Sequence, residues 1–234
     1  MDFKGLYRED GYFDATGYIA ALLSDPSKWN VLADERSCGK TTLLSMLYYY
    51  FERSEKSESL FSGLNIAKEY EGWRNELNAY DVIALDFSDF NEKTMKAAKK
   101  YIYEKLRKVY FSKFEFIFEY APDHALNQDH YIRMLSGFWT DEVLRSSLRN
   151  ILHYCQQASR KKMADDGIVK PGEREDMPVL LIDNAVLLEK KAKEYGYSSE
   201  MRSFVTDFFD FEPDKCCSFY LQTGGEPIDE EPYP

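Results

Sequence analysis

Residues 29–42 read WNVLADERSCGKTT. An apolar run is followed by a short polar loop, and Gly39-Lys40-Thr41 then opens the stretch LLSMLYYYF, whose apolar residues recur at helical spacing. A phosphate-holding loop needs this order, because backbone N–H groups and the positive end of the following helix surround the anion. In that reading Gly39 lets the backbone approach the phosphates and Lys40 reaches the β and γ oxygens. Thr41 supplies a hydroxyl to Mg²⁺, Thr42 follows in the same first turn, and Arg36 is a further phosphate contact. The full pattern G-x-x-x-x-G-K-[ST] would place its first glycine at position 34, where this chain has Asp34. Asp34 and Glu35, if they faced a triphosphate at roughly 8 Å, would each cost about 1–2 kcal/mol at an effective dielectric near 20.

The partner expected for such a loop is an acid at the end of a buried strand. Residues 179–184 read VLLIDN, so Asp183 is placed to hold the metal with Thr41. The alternative is a buried strand whose terminal Asp caps the next helix. Asn184 follows where a water-activating acid would be useful, and an amide can hydrogen-bond water but cannot take its proton. Asp86, which ends the run DVIALD at 81–86, is the nearby replacement, with capping of the next turn as its competing role.

Four short apolar runs, at 29–33, 81–86, 178–183 and 217–222, read as buried strands. Helical stretches lie at 40–51, 92–118, 141–161 and 199–211, the third with Thr140 as its N-cap. Continuously apolar strands separated by helices predict a mainly parallel sheet covered on both faces. The fold class is therefore α/β, a three-layer P-loop NTPase fold. If the strands follow the order of P-loop ATPases with an inserted strand, which this pattern resembles, the run at 217–222 lies between the runs ending at Ala33 and Asp183. A single domain over 1–225 is expected, with a polar loop at 162–177 and an acidic, Pro-rich, flexible tail at 226–234 (EPIDEEPYP). The exposed edge of the first strand would need cover, best supplied by the aromatic segment 3–18.

The net charge of -11 argues against a general nucleic-acid coat protein. Against that background, 91–113 carries eight basic residues and two acids, with Tyr101, Tyr103 and Tyr110 interleaved. This basic helix is either a docking face for an acidic partner or nucleic acid, or a solvated face. The 16% aromatic content, high for a globular chain, fits a ring-rich core. Cys38, Cys155, Cys216 and Cys217 show no metal-ligand spacing, and His124, His130 and His153 lack a metal-binding context. With a charged N-terminus and no long apolar run, a cytoplasmic protein with reduced thiols is expected, and no membrane association.

Six ordered stretches resemble the predicted AAA-ATPase-like family of bacterial P-loop ATPases. They are 12–23 (YFDATGYIAALL), 38–51 (CGKTTLLSMLYYYF), 60–66 (LFSGLNI), 82–88 (VIALDFS), 179–184 (VLLIDN) and 219–224 (FYLQTG), the last like a sensor strand. The resemblance implies a bacterial nucleotide-binding protein, with ATP and Mg²⁺ as cofactors and Tyr12, Phe13, Asp14 and Thr16 near the base. It also marks departures. The family's loop is basic where this one carries Asp34 and Glu35, and the family has Glu where this chain has Asn184. Relatives usually continue into a helical lid and a nuclease-like domain, so this chain is expected to be truncated after its sensor-like strand. The resemblance and its departures together imply a divergent AAA-ATPase-like protein that binds ATP and Mg²⁺ with weak or absent hydrolysis. The alternative is an interaction module that kept the fold and lost the nucleotide.

Overall fold

The structure is a computed structural model that describes residues 3–6, 13–24, 29–32, 39–121, 129–167, 177–212, 217 and 219–223. Four strands, β1 (Trp29–Leu32), β2 (Val82–Asp86), β3 (Val179–Asp183) and β4 (Phe219–Thr223), form one sheet in the order β1-β4-β3-β2. Every pairing is parallel. The expected insertion of β4 between β1 and β3 is what the sheet shows.

Eleven helices are described: α1 (Phe3–Leu6), α2 (Gly17–Ser24), α3 (Lys40–Phe51), α4 (Glu58–Phe61), α5 (Asn65–Glu69), α6 (Trp73–Glu76), α7 (Met95–Tyr120), α8 (Asp129–Ser136), α9 (Asp141–Asp165), α10 (Val186–Tyr195) and α11 (Ser198–Phe208). Strand alternation sends Ile83, Leu85, Leu180 and Ile182 into one core with α7, α9, α10 and α11. Val82, Val179 and Leu181 enter a second core with α3 and the short helices α4–α6. The sheet is thus flanked by helices on both faces, and β3 is buried along its whole length. Tyr50, Tyr110, Tyr131 and Tyr154 are fully buried. Tyr110 and Tyr131 donate their hydroxyls to the carbonyls of Ser147 and Tyr110 at 2.8 Å each, so these rings fill the core without leaving an unpaired hydroxyl.

Local sequence accounts for the long helices. Thr94 and Thr140 accept from the N–H groups of Ala97 and Val143, and Asp141 and Glu142 place acids in the first turn of α9. The polar stretch expected as a loop from Lys162 is corrected in part: α9 continues to Asp165, held by the i,i+4 ion pairs Lys161–Asp165 and Lys162–Asp166. Of the segment 3–18 expected to cover the first strand, residues 7–12 lie outside the described residues. Segment 3–6 is helical, and its Phe3 stacks on Phe61 at 5.5 Å while its N–H donates to Ser45 Oγ at 3.1 Å, which seats α1 on α3. The tail 226–234 lies outside the described residues. No helix among them is long and apolar enough to cross a membrane.

Candidate functional site

The site lies at the carboxyl edge of the sheet, where α3 begins. Gly39 immediately precedes α3 with φ 102°, and among the described residues nothing lies within 4 Å of where a Cβ would stand. Only glycine adopts this left-handed turn without strain, and it leads the chain into the helix. Two residues on, the Thr41 hydroxyl donates to Asp183 Oδ2 at 2.7 Å. These residues are 142 positions apart, and the sheet brings them together because α3 packs across β3 through Leu44, Leu47 and Leu181. Asp183 is 6% exposed, at the end of β3. Its carbonyl accepts from Phe87 N–H at 3.0 Å, which ties the ends of β2 and β3 together.

Asp86 pairs in register with Asp183. Its carboxylate accepts from the Ser88 N–H at 2.8 Å and the Ser88 hydroxyl at 3.0 Å, the turn-capping role that competed with a catalytic one. Asn184 sits at φ 58°, a conformation that asparagine tolerates better than other side-chain-bearing residues. Its carbonyl accepts from Leu187 N–H at 3.0 Å, turning the chain from β3 into α10. A cleft of about 220 Å³ runs from Thr41 and Asp183 along α3, lined also by Tyr48, Tyr49, Asp86 and Leu181. Burial and the nearby Glu52 charge raise the Tyr48 pKa, so this phenol stays neutral. The motifs alone do not single out Tyr48. A signal for it exists in the spacing, since position 48 is two turns from Thr41 on the same face of α3.

Asp14 and Thr16 have partners of their own. The Asp14 carboxylate accepts from Thr16 N–H (3.0 Å), the Thr16 hydroxyl (2.6 Å) and Asn65 N–H (2.7 Å). Thr16 Oγ1 in turn accepts from Ile66 N–H at 3.0 Å. Asp14 and Thr16 therefore satisfy the start of α5, while Phe13 is 84% exposed. Tyr12, Asp34, Glu35, Arg36, Cys38 and His124 lie outside the described residues, as does the Lys40 side chain. Thr42 occupies the first turn of α3, half-buried.

The basic helix is partly neutralised from within. Lys113 is buried against Glu52 and Asp81, Lys99 pairs with Asp141, Lys105 pairs with Asp89 at 2.8 Å, and Arg107 donates to the Leu135 carbonyl. Lys93, Lys96, Lys100 and Lys108 lie at least partly open to solvent. His130 Nε2 lies 2.9 Å from the Val143 carbonyl, and burial lowers its pKa. No group of three or more His, Cys, Asp or Glu side chains is placed to hold a metal among the described residues. The Thr41–Asp183 oxygen pair still suits Mg²⁺, which takes few protein ligands and leaves the rest to water and phosphate oxygens.

These features define a parallel α/β protein with a polar site at the carboxyl edge of its sheet, between a helix start and a strand-end acid. The family model described as Predicted AAA-ATPase matches residues 1–231, and the chain belongs to that family. No curated protein and no solved structure matches the chain.

Proposed function

We propose that this chain is a divergent P-loop ATPase-like protein that binds ATP with Mg²⁺ and hydrolyses it slowly or not at all. One observation carries the reading: the 2.7 Å hydrogen bond from Thr41 to Asp183, formed where a glycine-initiated helix meets the end of a buried strand. A hydroxyl and a carboxylate so placed are the two side chains that a nucleotide-bound Mg²⁺ requires. The parallel order β1-β4-β3-β2, with β4 inserted between β1 and β3, supports a three-layer P-loop NTPase fold.

In this reading Gly39 and the first N–H groups of α3 cradle the phosphates, and Lys40 pairs with their charge. Thr41 and Asp183 would hold Mg²⁺, which when bound offsets phosphate charge. Slow turnover is expected from the residues beside them. Asn184 can orient a water but cannot accept its proton, and both oxygens of Asp86 are engaged by Ser88. Loss of a general base lowers a rate by about 10²–10⁴-fold.

Isothermal titration of the full chain with ATP and Mg²⁺ tests the proposal. Saturable heat that disappears in Lys40→Ala is expected, with steady-state turnover well below ~1 s⁻¹. No heat from the unaltered chain would leave the interaction-module reading in its place.

A further inference from the structure

The cleft beside Thr41 and Asp183 has a shape that the nucleotide reading leaves unused. Strand alternation turns Ala84 and Asp86 of β2, with Leu181 and Asp183 of β3, toward the side where Val82 and Val179 pack with α3. α3 faces them with Thr41, Leu44, Ser45 and Tyr48, which recur at i, i+3, i+4 and i+7 on one side of the helix. Ala84 stands between Val82 and Asp86 in this row and pairs in register with Leu181. Its single methyl leaves open the space that a larger side chain would fill.

The two ends of the cleft differ in chemistry. Thr41, Asp86 and Asp183 make the end at the carboxyl edge polar. Farther along α3, Leu44, Tyr48, Ala84 and Leu181 make the other end apolar, and no lysine or arginine lines it among the described residues. Its volume of about 220 Å³ exceeds the roughly 150 Å³ in which an apolar cavity holds benzene, so one aromatic ring with a short side chain fits. Ser88 occupies one lone pair on each Asp86 oxygen, and a carboxylate has about four, so Asp86 keeps acceptor sites in a fixed orientation. A water gains no anchorage from the apolar walls, whereas an alcohol carrying a ring is seated by them.

We propose that the cleft binds a small aromatic alcohol, and that this chain transfers the terminal phosphoryl group of its nucleotide to that alcohol rather than to water. The proposal rests on the ATP-binding reading given above. The ring fills the space beside Ala84, and the hydroxyl lies at the polar end. In the transfer the hydroxyl oxygen bonds to the γ-phosphorus. The bond from that phosphorus to the β,γ-bridging oxygen breaks, and its electron pair leaves on the nucleoside diphosphate. The hydroxyl proton passes to Asp86, which is exposed and returns it to solvent. The products are a phosphomonoester and the diphosphate.

The test uses the full chain, labelled with ¹⁵N, with benzyl alcohol as probe and glycerol as a hydroxyl control that lacks a ring. Benzyl alcohol should shift the Ala84 and Leu181 amide resonances, and glycerol should leave them in place. With ATP and Mg²⁺ added, ³¹P spectra should show benzyl phosphate forming at least about tenfold faster than inorganic phosphate. Ala84→Leu fills the cleft from an exposed strand position, and should abolish both the Leu181 shift and the transfer while the heat of ATP binding is kept. Asp86→Asn should lower the kcat of transfer about 10²–10⁴-fold with the alcohol still bound, and holds the proposal to account if Ala84→Leu fails to fold. No heat with ATP would sink the nucleotide reading and this proposal together. ATP binding without benzyl phosphate would overturn this proposal alone. So would glycerol phosphorylated as fast as benzyl alcohol, or transfer that survives Ala84→Leu or Asp86→Asn.

Discussion

The two ends of the sheet use the same chemistry to opposite effect. At the amino end, Lys113 Nζ lies 2.7 and 2.9 Å from the two Glu52 oxygens and 3.4 Å from Asp81 Oδ1. Arg53 reaches Asp81 Oδ2 at 3.4 Å, and Ser159 donates to the same oxygen at 3.1 Å. Two acids and two bases close on one another, with the Lys113, Glu52 and Asp81 side chains at most 5% exposed. At the carboxyl end, Thr41 meets Asp183 beside a cleft. The closed cluster joins α3, β2, α7 and α9 into one body, whereas the second set leaves room for something to enter. Charges that satisfy one another hold a fold together, and polar groups with space beside them are where a ligand belongs.

Removing the cation from the closed cluster gives the largest expected effect. Lys113→Met should lose about 3–5 kcal/mol in chemical denaturation, because Glu52 and Asp81 remain buried with their main partner gone. A loss below about 1 kcal/mol would dissolve the contrast between the two ends.

Acidity gives the next effect. Burial raises the Glu52 pKa, but the Lys113 charge and the hydrogen bonds from Lys113, Val82 and Ser54 outweigh it and hold the carboxyl below its ordinary 4.5. A depressed acid contributes stability that is present above about 4.5 and is lost as pH falls through the lower folded value. For Lys113, burial lowers the pKa, and Asp81 and Glu52 outweigh that and raise it above 10.5. Its contribution is present below about 10.5 and fades as pH rises past the folded value. Urea midpoints measured against pH should therefore fall more steeply in acid for the unaltered chain than for Glu52→Gln. Parallel profiles would show that the pair does not carry the pH dependence.

At the open end the expectation reverses, with function lost and stability kept. Thr41→Val should change stability by less than about 1 kcal/mol, the worth of one partly exposed hydrogen bond. ATP·Mg²⁺ affinity should fall at least about tenfold with the hydroxyl gone. A large stability loss with unchanged binding would make Thr41 a structural residue.

The smallest effect concerns Asn184. Asn184→Gly should be neutral or stabilising by a few tenths of a kcal/mol, and Asn184→Ala should cost about 1 kcal/mol, because φ 58° is costly for a residue with an ordinary side chain. Asn184→Glu, which would place a general base beside Asp183, carries the same strain, so its turnover has to be compared at matched folded fractions.

Much of the frame is legible in the residues. The strand cores lie within one or two positions of the apolar runs, because continuous apolar runs and helical spacing are local signals. Asp183 and Thr41 are legible as a pair through motif spacing, and their meeting depends on strand order. The short helices α4–α6 and α8 are not. Each presents only one or two apolar residues to the core, too few for a period to appear. Asp14 looks like a site residue from its motif, yet its carboxylate is consumed at the start of α5, 51 positions away.

By itself, then, the amino-acid sequence determined the class of fold, the order of β4 between β1 and β3, and the helix start at Gly39. The first and third rest on patterns that neighbouring residues enforce on one another, and the strand order was expected only through the resemblance to P-loop ATPases. The tertiary structure alone decided the fate of individual polar groups. Lys113, one of eight basic residues in a seemingly uniform stripe, became a buried cation because the fold set Glu52, 61 residues away, 2.7 Å from its ammonium. The turn of Ala84 toward the cleft and of Ile83 into the opposite core likewise depended on which partner β2 received. A charge or a backbone group has no fixed role along the chain, because its energy is set by neighbours that only the folded state supplies.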